Sequence, residues 1–362
     1  MDVNFIGHSS EVSYYDLELK NREGFRQALP IRAIKKIPST SEVQPNHVNE
    51  VLIPIKKQDL DKSNDDDLEI KLSRSSTKDH INVINFFSNS DVDLKDLLRY
   101  RDVGLLAKFE QIYNDHFVSL PFSLKFREEG YMSDGIPNEI KKYFSDFISS
   151  TSYKKNIMGY IPAYSWYKDI EKLVEFYINS GIGSTTKGQG YNLIPLMVDY
   201  KGCNVDRFKL ATSVLHEVKE KYLKEKVYLL YYAFSVGTPR LSKKSQKITV
   251  ETKKAEKVLA KDFLLSFLGF DIIGSNYARQ TNHKAKWHLP LPKEVGEFKQ
   301  EDFFYHPTED KRLQSEQKIK NLMNQNRYLN DISVKFNKDS ELPLKEMQKR
   351  QQANSYIDSY NK

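Results

Sequence analysis

Only one cysteine, Cys203, occurs in 362 residues, so neither a disulfide framework nor a cysteine-based zinc site can be assembled. A reducing compartment is expected. The eight histidines are scattered and no two have the spacing of an HExxH motif, so no histidine metal site is expected and no cofactor is implied. No stretch approaches the roughly 18 consecutive apolar residues of a membrane span. Met1–Leu29 mixes Asp2, His8, Glu11, Asp16 and Lys20 with no apolar signal-peptide core. These absences predict a cytoplasmic protein without membrane attachment. A Gly-x-Ser-x-Gly nucleophile elbow is missing. The glycine-rich run Gly181–Gly190, with Lys187, precedes a predicted strand and does not join a strand to a helix, so it matches neither a P-loop nor a dinucleotide fingerprint.

What is present is ample material for a core: 39% hydrophobic residues, with 22 Tyr and 20 Phe. The 56 Lys and Arg against 49 Asp and Glu leave a net charge of +7, which favours an anionic partner such as nucleic acid. A well-solvated lysine-rich surface would leave the same excess.

Six apolar runs, Ile81–Phe87, Phe117–Leu120, Ile157–Ala163, Leu193–Asp199, Val227–Phe234 and Phe270–Ser275, read as strands. Helical periodicity follows several of them, over Asp91–Tyr113, Ser165–Asn179 (closed by Gly181), Val205–Lys224 and Thr252–Leu268. A parallel strand is regained only by such a crossover, and near-continuous apolar strands are those covered on both faces. The predicted class is therefore α/β. A doubly wound sheet and a barrel both fit this pattern; with Val51–Ile55 and Leu68–Leu72 as further strands the count reaches eight, which favours a (β/α)8 TIM-type barrel. The expected organisation is an N-terminal extension with short strands (1–79), a parallel barrel core (80–289), and a C-terminal helical region with a polar tail (290–362), including a charged helix over Lys311–Asn330.

In a parallel barrel, chemistry gathers at the carboxyl ends of the strands. Reading each run to its end selects Asp91, Asp199 and Asp271 as candidate catalytic carboxylates, although Asp199 could equally shape a turn and Asp271 could be structural. Tyr164, Trp166, Tyr200 and Tyr232 are candidates for stacking on a substrate base, with Ser235, Gly237 and Arg279 nearby. Arg240, Lys243, Lys244 and Lys247 form a basic element after the fifth run, suited to phosphate neutralisation or simply to a solvated loop.

Ser235-Val-Gly-Thr-Pro239 resembles a strand end of the tRNA-guanine transglycosylase family, and Gly269–Arg279 is similar to that family's glycine-led strand ending in an arginine. The resemblance implies a (β/α)8 barrel, a nucleic-acid partner (DNA or tRNA), a purine-type base as substrate and a pentosyl-transfer reaction of base exchange. On that comparison the family's nucleophilic aspartate falls at Gly274, and Phe86–Asp91 replaces its Asp-Ser-Gly-Gly-Phe-Gln motif. Two other functions remain open: a non-catalytic nucleic-acid or partner-binding protein on a barrel scaffold, and a barrel enzyme acting on a phosphorylated small molecule.

Overall fold

The computed structural model of the chain describes residues 31–32, 34–35, 48–55, 81–88, 117–120, 122–123, 138–149, 157–162, 167–185, 192–200, 209–236, 239, 241, 257–274, 296–307 and 314–336. The elements are β1 (Ile31–Arg32), β2 (Ile34–Lys35), β3 (Val48–Ile55), β4 (Ile81–Ser88), β5 (Phe117–Ser119), β6 (Phe122–Ser123), α1 (Asn138–Ser149), β7 (Ile157–Pro162), α2 (Tyr167–Asn179), β8 (Ser184–Thr185), β9 (Asn192–Asp199), α3 (Lys209–Lys224) and β10 (Val227–Phe234). After them come β11 (Val258–Leu259), α4 (Lys261–Leu264), β12 (Ile272–Ile273), β13 (Glu297–Lys299), β14 (Phe304–His306) and α5 (Gln314–Phe336).

Seven parallel strands in the order β3-β4-β5-β7-β9-β10-β12 form a curled sheet, and the chain is an α/β protein. Short β1 pairs with β12 and β2 with β3, both in parallel. Across these seven strands spatial order follows chain order with no reversal, which is not the order of a doubly wound sheet. β3 pairs with β4 along all eight residues, from Val48 against Ile81 to Ile55 against Ser88. β3, which lies within the 1–79 segment, is thus a strand of the main sheet.

Alternation along the strands sorts side chains onto two faces. Tyr160, Met197 and Tyr232 stand in register on one face, and Asp199 lies two residues beyond Met197 on that same face. Gly159, Leu196 and Tyr231 stand in register on the other, which the helices cover. Tyr231 donates through its hydroxyl to the Leu215 carbonyl of α3 at 2.9 Å. α2 presses Ile170, Leu173, Val174 and Tyr177 inward and ends where Gly181 takes a φ of 71°, as its spacing predicts. α3 buries Ala211, Leu215, Val218 and Tyr222.

Tyr177 of α2 completes the sheet chemically. β5 ends at Ser119, opposite Met158, and beyond that level a side chain of α2 meets the backbone of β7. The Tyr177 hydroxyl accepts from the Tyr160 N–H and donates to its carbonyl, each at 2.9 Å. Gly159 makes room for the ring, since a Cβ there would stand 2.6 Å from Tyr177 Cδ2. Tyr177→Phe strips both backbone groups of their partner inside the core, and a loss of about 2 kcal/mol is expected. Urea titration would register it as a lower midpoint at unchanged slope.

The chain beyond β10 departs from its predicted outline. Where periodicity predicts one helix over Thr252–Leu268, the chain forms β11, then α4 and a 3-10 turn over Leu265–Phe267. β11 is drawn into an antiparallel sheet, β11-β14-β13, through Val258 opposite Tyr305, so tertiary pairing overrides helix propensity. α5 buries Leu322, Tyr328 and Leu329 and packs on β1 and β13, joining the C-terminal region to the main body. Glu297 of β13 receives Lys320 of α5 at 2.9 Å; that bond and a second from Lys299 hold the Glu297 carboxyl below its ordinary range.

Candidate functional site

Curling brings strands that are distant within the sheet face to face. Tyr232 of β10 donates its hydroxyl proton to Glu50 Oε1 of β3 and accepts from Asn85 Nδ2 of β4 at 3.0 Å. These residues lie five and four strands apart along the sheet, so their bonds cross its concave face. Glu50, Asn85 and Tyr232 are all buried. Burial, reinforced by the Glu50 and Asp199 carboxylates, pushes the Tyr232 hydroxyl well above its ordinary range, so it stays protonated and donates. Asn85 gives its N–H to Tyr232, while its own carbonyl oxygen, fully enclosed, meets no donor among the described residues.

Asp199 ends β9 on this same face and accepts from the Tyr160 hydroxyl at 3.0 Å. Ser235, directly after β10, is buried and holds a φ of 59°, a left-handed conformation that non-glycine residues seldom adopt and that clusters at functional sites. Gly274 follows β12, and its N–H donates to Ala233 O at 2.8 Å. A Cβ at this glycine would lie 2.6 Å from Glu50 Oε1 and 2.8 Å from Ala233 O. The Glu50 carboxylate thus occupies the space that a side chain at 274 would need.

Asp271 belongs to a different environment. It accepts from Lys219 Nζ of α3 at 2.7 Å, from the Tyr231 N–H at 2.7 Å and from the Tyr228 hydroxyl. The Lys219 ammonium also donates to the Gly269 carbonyl at 2.8 Å and lies 4.6 Å from the Tyr228 ring centroid. Burial pushes the Asp271 carboxyl up and the Lys219 ammonium down, while their pairing opposes both shifts. The Lys219 ion pair fastens α3 to the sheet at Asp271. Tyr200 also turns away from the concave face: its hydroxyl meets Thr212 Oγ1 of α3 at 2.7 Å and its ring packs edge-on against Phe270 at 5.6 Å. Tyr200 is buried between β9 and α3.

Of the residues selected from the sequence, Asp199 and Tyr232 share the concave face, with Ser235 at the strand end beside it. Asp91, Tyr164, Trp166, Gly237, Arg279, Arg240, Lys243, Lys244 and Lys247 lie outside the described residues. Glu50, Asn85 and Tyr160 were not selected. Among the described residues no group of histidine, cysteine and carboxylate side chains is suited to hold a metal, and no helix is long and apolar enough to cross a membrane.

No family model matches the chain, and no curated protein does.

Chemically, the concave face presents two buried carboxylates and an unsatisfied amide oxygen, and the hydroxyl protons of Tyr160 and Tyr232 are already directed at the carboxylates. Such a surface accepts N–H donors. It is poorly suited to an anionic group.

Proposed function

We propose that the parallel sheet closes into a (β/α)8 barrel whose concave face handles a nucleobase delivered by DNA or tRNA, in the manner of a divergent tRNA-guanine transglycosylase. Closure is supported by register. Followed one way, the level of Ile34 passes through Asn49 and Asn82 and, keeping the same register, arrives at Asn192 and Val227. Followed the other way, the level of Ile31 passes through Ile272 to Tyr232. Val227 lies five residues before Tyr232 and Ile34 three after Ile31, a total stagger of eight. Eight strands with a shear of eight is the geometry of this barrel.

The observation that carries the functional proposal is the crossing of Glu50, Tyr232 and Asn85 over the concave face beside Asp199. Base exchange needs a carboxylate to attack the anomeric carbon as the base departs, and a second group to manage the proton on the leaving base. Asp199, at the carboxyl end of β9, takes the first role. Glu50 takes the second. The +7 net charge supports a polyanion as the carrier of the base, with cytoplasmic nucleic acid as the partner.

The test is exchange of isotopically labelled guanine into tRNA and into DNA. Asp199→Asn is expected to lower the rate at least about 100-fold and Glu50→Gln by a comparable factor, with nucleic-acid binding retained. Full exchange by Asp199→Asn would remove the proposed nucleophile.

Gly274 favours a second function, because no side chain stands at the position where the resemblance expects the nucleophile. A non-catalytic binder on the same scaffold would hold nucleic acid, lose that affinity steeply between about 50 and 200 mM salt, and exchange no base.

A further inference from the structure

We infer that Asn85 reads a ring N–H on the bound ligand, and that Tyr232 and Glu50 are positioning residues that fix which way its amide faces. This inference rests on the nucleobase function proposed above and adds the atom that discriminates among bases.

The Tyr232 hydroxyl has a single hydrogen and gives it to Glu50 Oε1. Its oxygen is then an acceptor for Asn85, which must turn its N–H2 group toward Tyr232, as the 3.0 Å bond from Nδ2 records. The amide is locked in this sense. A free asparagine can present either its donor or its acceptor to a ligand by turning over; Asn85 cannot. Its carbonyl is left facing away from Tyr232, enclosed and without a donor among the described residues.

A buried carbonyl without a donor is unfavourable, and a ligand N–H placed there removes the penalty. The surroundings sharpen the preference. Glu50 and Asp199 are acceptors on the same face, and the Tyr160 and Tyr232 hydroxyl protons are committed to them. A base that offers a ring N–H at this point gains a bond. A base that offers a ring lone pair meets an acceptor instead. Hypoxanthine and adenine differ in this way at N1, which carries a proton in the first and a lone pair in the second.

The measurement is titration calorimetry of the full chain with free hypoxanthine and free adenine. Hypoxanthine is expected to bind at least roughly tenfold more tightly, the worth of one hydrogen bond. Asn85→Leu, of similar size, should abolish the difference; Tyr232→Phe, which frees the amide to turn, should shrink it to within about threefold. The wild-type preference needs no variant, so a variant that fails to fold leaves the inference testable. Equal affinity for the two bases, no binding of either, or a preference surviving in Asn85→Leu overturns it. Should nucleic-acid binding or base exchange persist alongside such a result, only the role of Asn85 is lost. The loss of those activities as well removes the nucleobase function itself.

Discussion

Replacing Lys219 by Met is expected to remove about 3–5 kcal/mol of folding free energy. The ammonium is buried, with Asp271 and the Gly269 carbonyl as its acceptors and the Tyr228 ring alongside. Without it the Asp271 carboxylate stays enclosed with only the Tyr228 hydroxyl and the Tyr231 N–H as donors. Uncompensated buried charge is among the few single changes that destabilise this strongly. The double variant Lys219→Met with Asp271→Asn should recover much of the loss, because the unpaired charge disappears with its partner. A double-mutant cycle by urea denaturation checks it, with a coupling of at least about 2 kcal/mol expected. Additive losses would mean that Asp271 does not depend on Lys219, and would keep it among the candidate acid–base groups.

Gly274→Ala is expected to cost about 1–3 kcal/mol, at the upper end for overpacking. One contact of the new methyl group is with Glu50 Oε1, the end of a side chain held by Tyr232. The other is with the Ala233 carbonyl, which is backbone and already bonded to the Gly274 N–H. Neither neighbour yields easily. Combining the change with Glu50→Ala should relieve the carboxylate contact and leave the backbone one, so the cost in that background falls without vanishing. Thermal denaturation of the four proteins measures both parts. An unchanged cost in the Glu50→Ala background would show that Glu50 does not fill the space at 274.

The long parallel strands and three of the helices, α2, α3 and α5, are legible in the pattern of apolar and charged residues. Val227–Phe234 is a strand over the predicted residues, and β9 differs from its expected span by one. α1 has the same signal, since Ile140, Tyr143, Phe144, Phe147 and Ile148 recur at helical spacing, but no predicted strand directly precedes it to complete a βα unit. β12 is two residues long where six were expected, since only Ile272 and Ile273 find partners on both sides.

The site was legible at strand ends and hidden within strands. Asp199 and Ser235 follow apolar runs and announce themselves. Glu50 and Asn85 sit inside Val48–Ile55 and Ile81–Ser88, where a polar residue usually marks a solvent-facing position on a half-exposed strand. The available signal was their position in strands otherwise covered on both sides. Only the curl of the sheet explains it, by giving each a partner from the far side. Tyr200, one residue past Asp199, falls on the alternate face and goes to α3.

The hydroxyl of Tyr232 and the carboxylate of Glu50 are joined across 182 residues of chain. Contacts of such span close large loops and form late, after local hairpins and helices have already settled. During synthesis the buried contact across the concave face therefore has no existence until most of the polypeptide has been made, and a ribosome stalled before β10 would hold a half-built sheet in which Glu50 still awaits Tyr232.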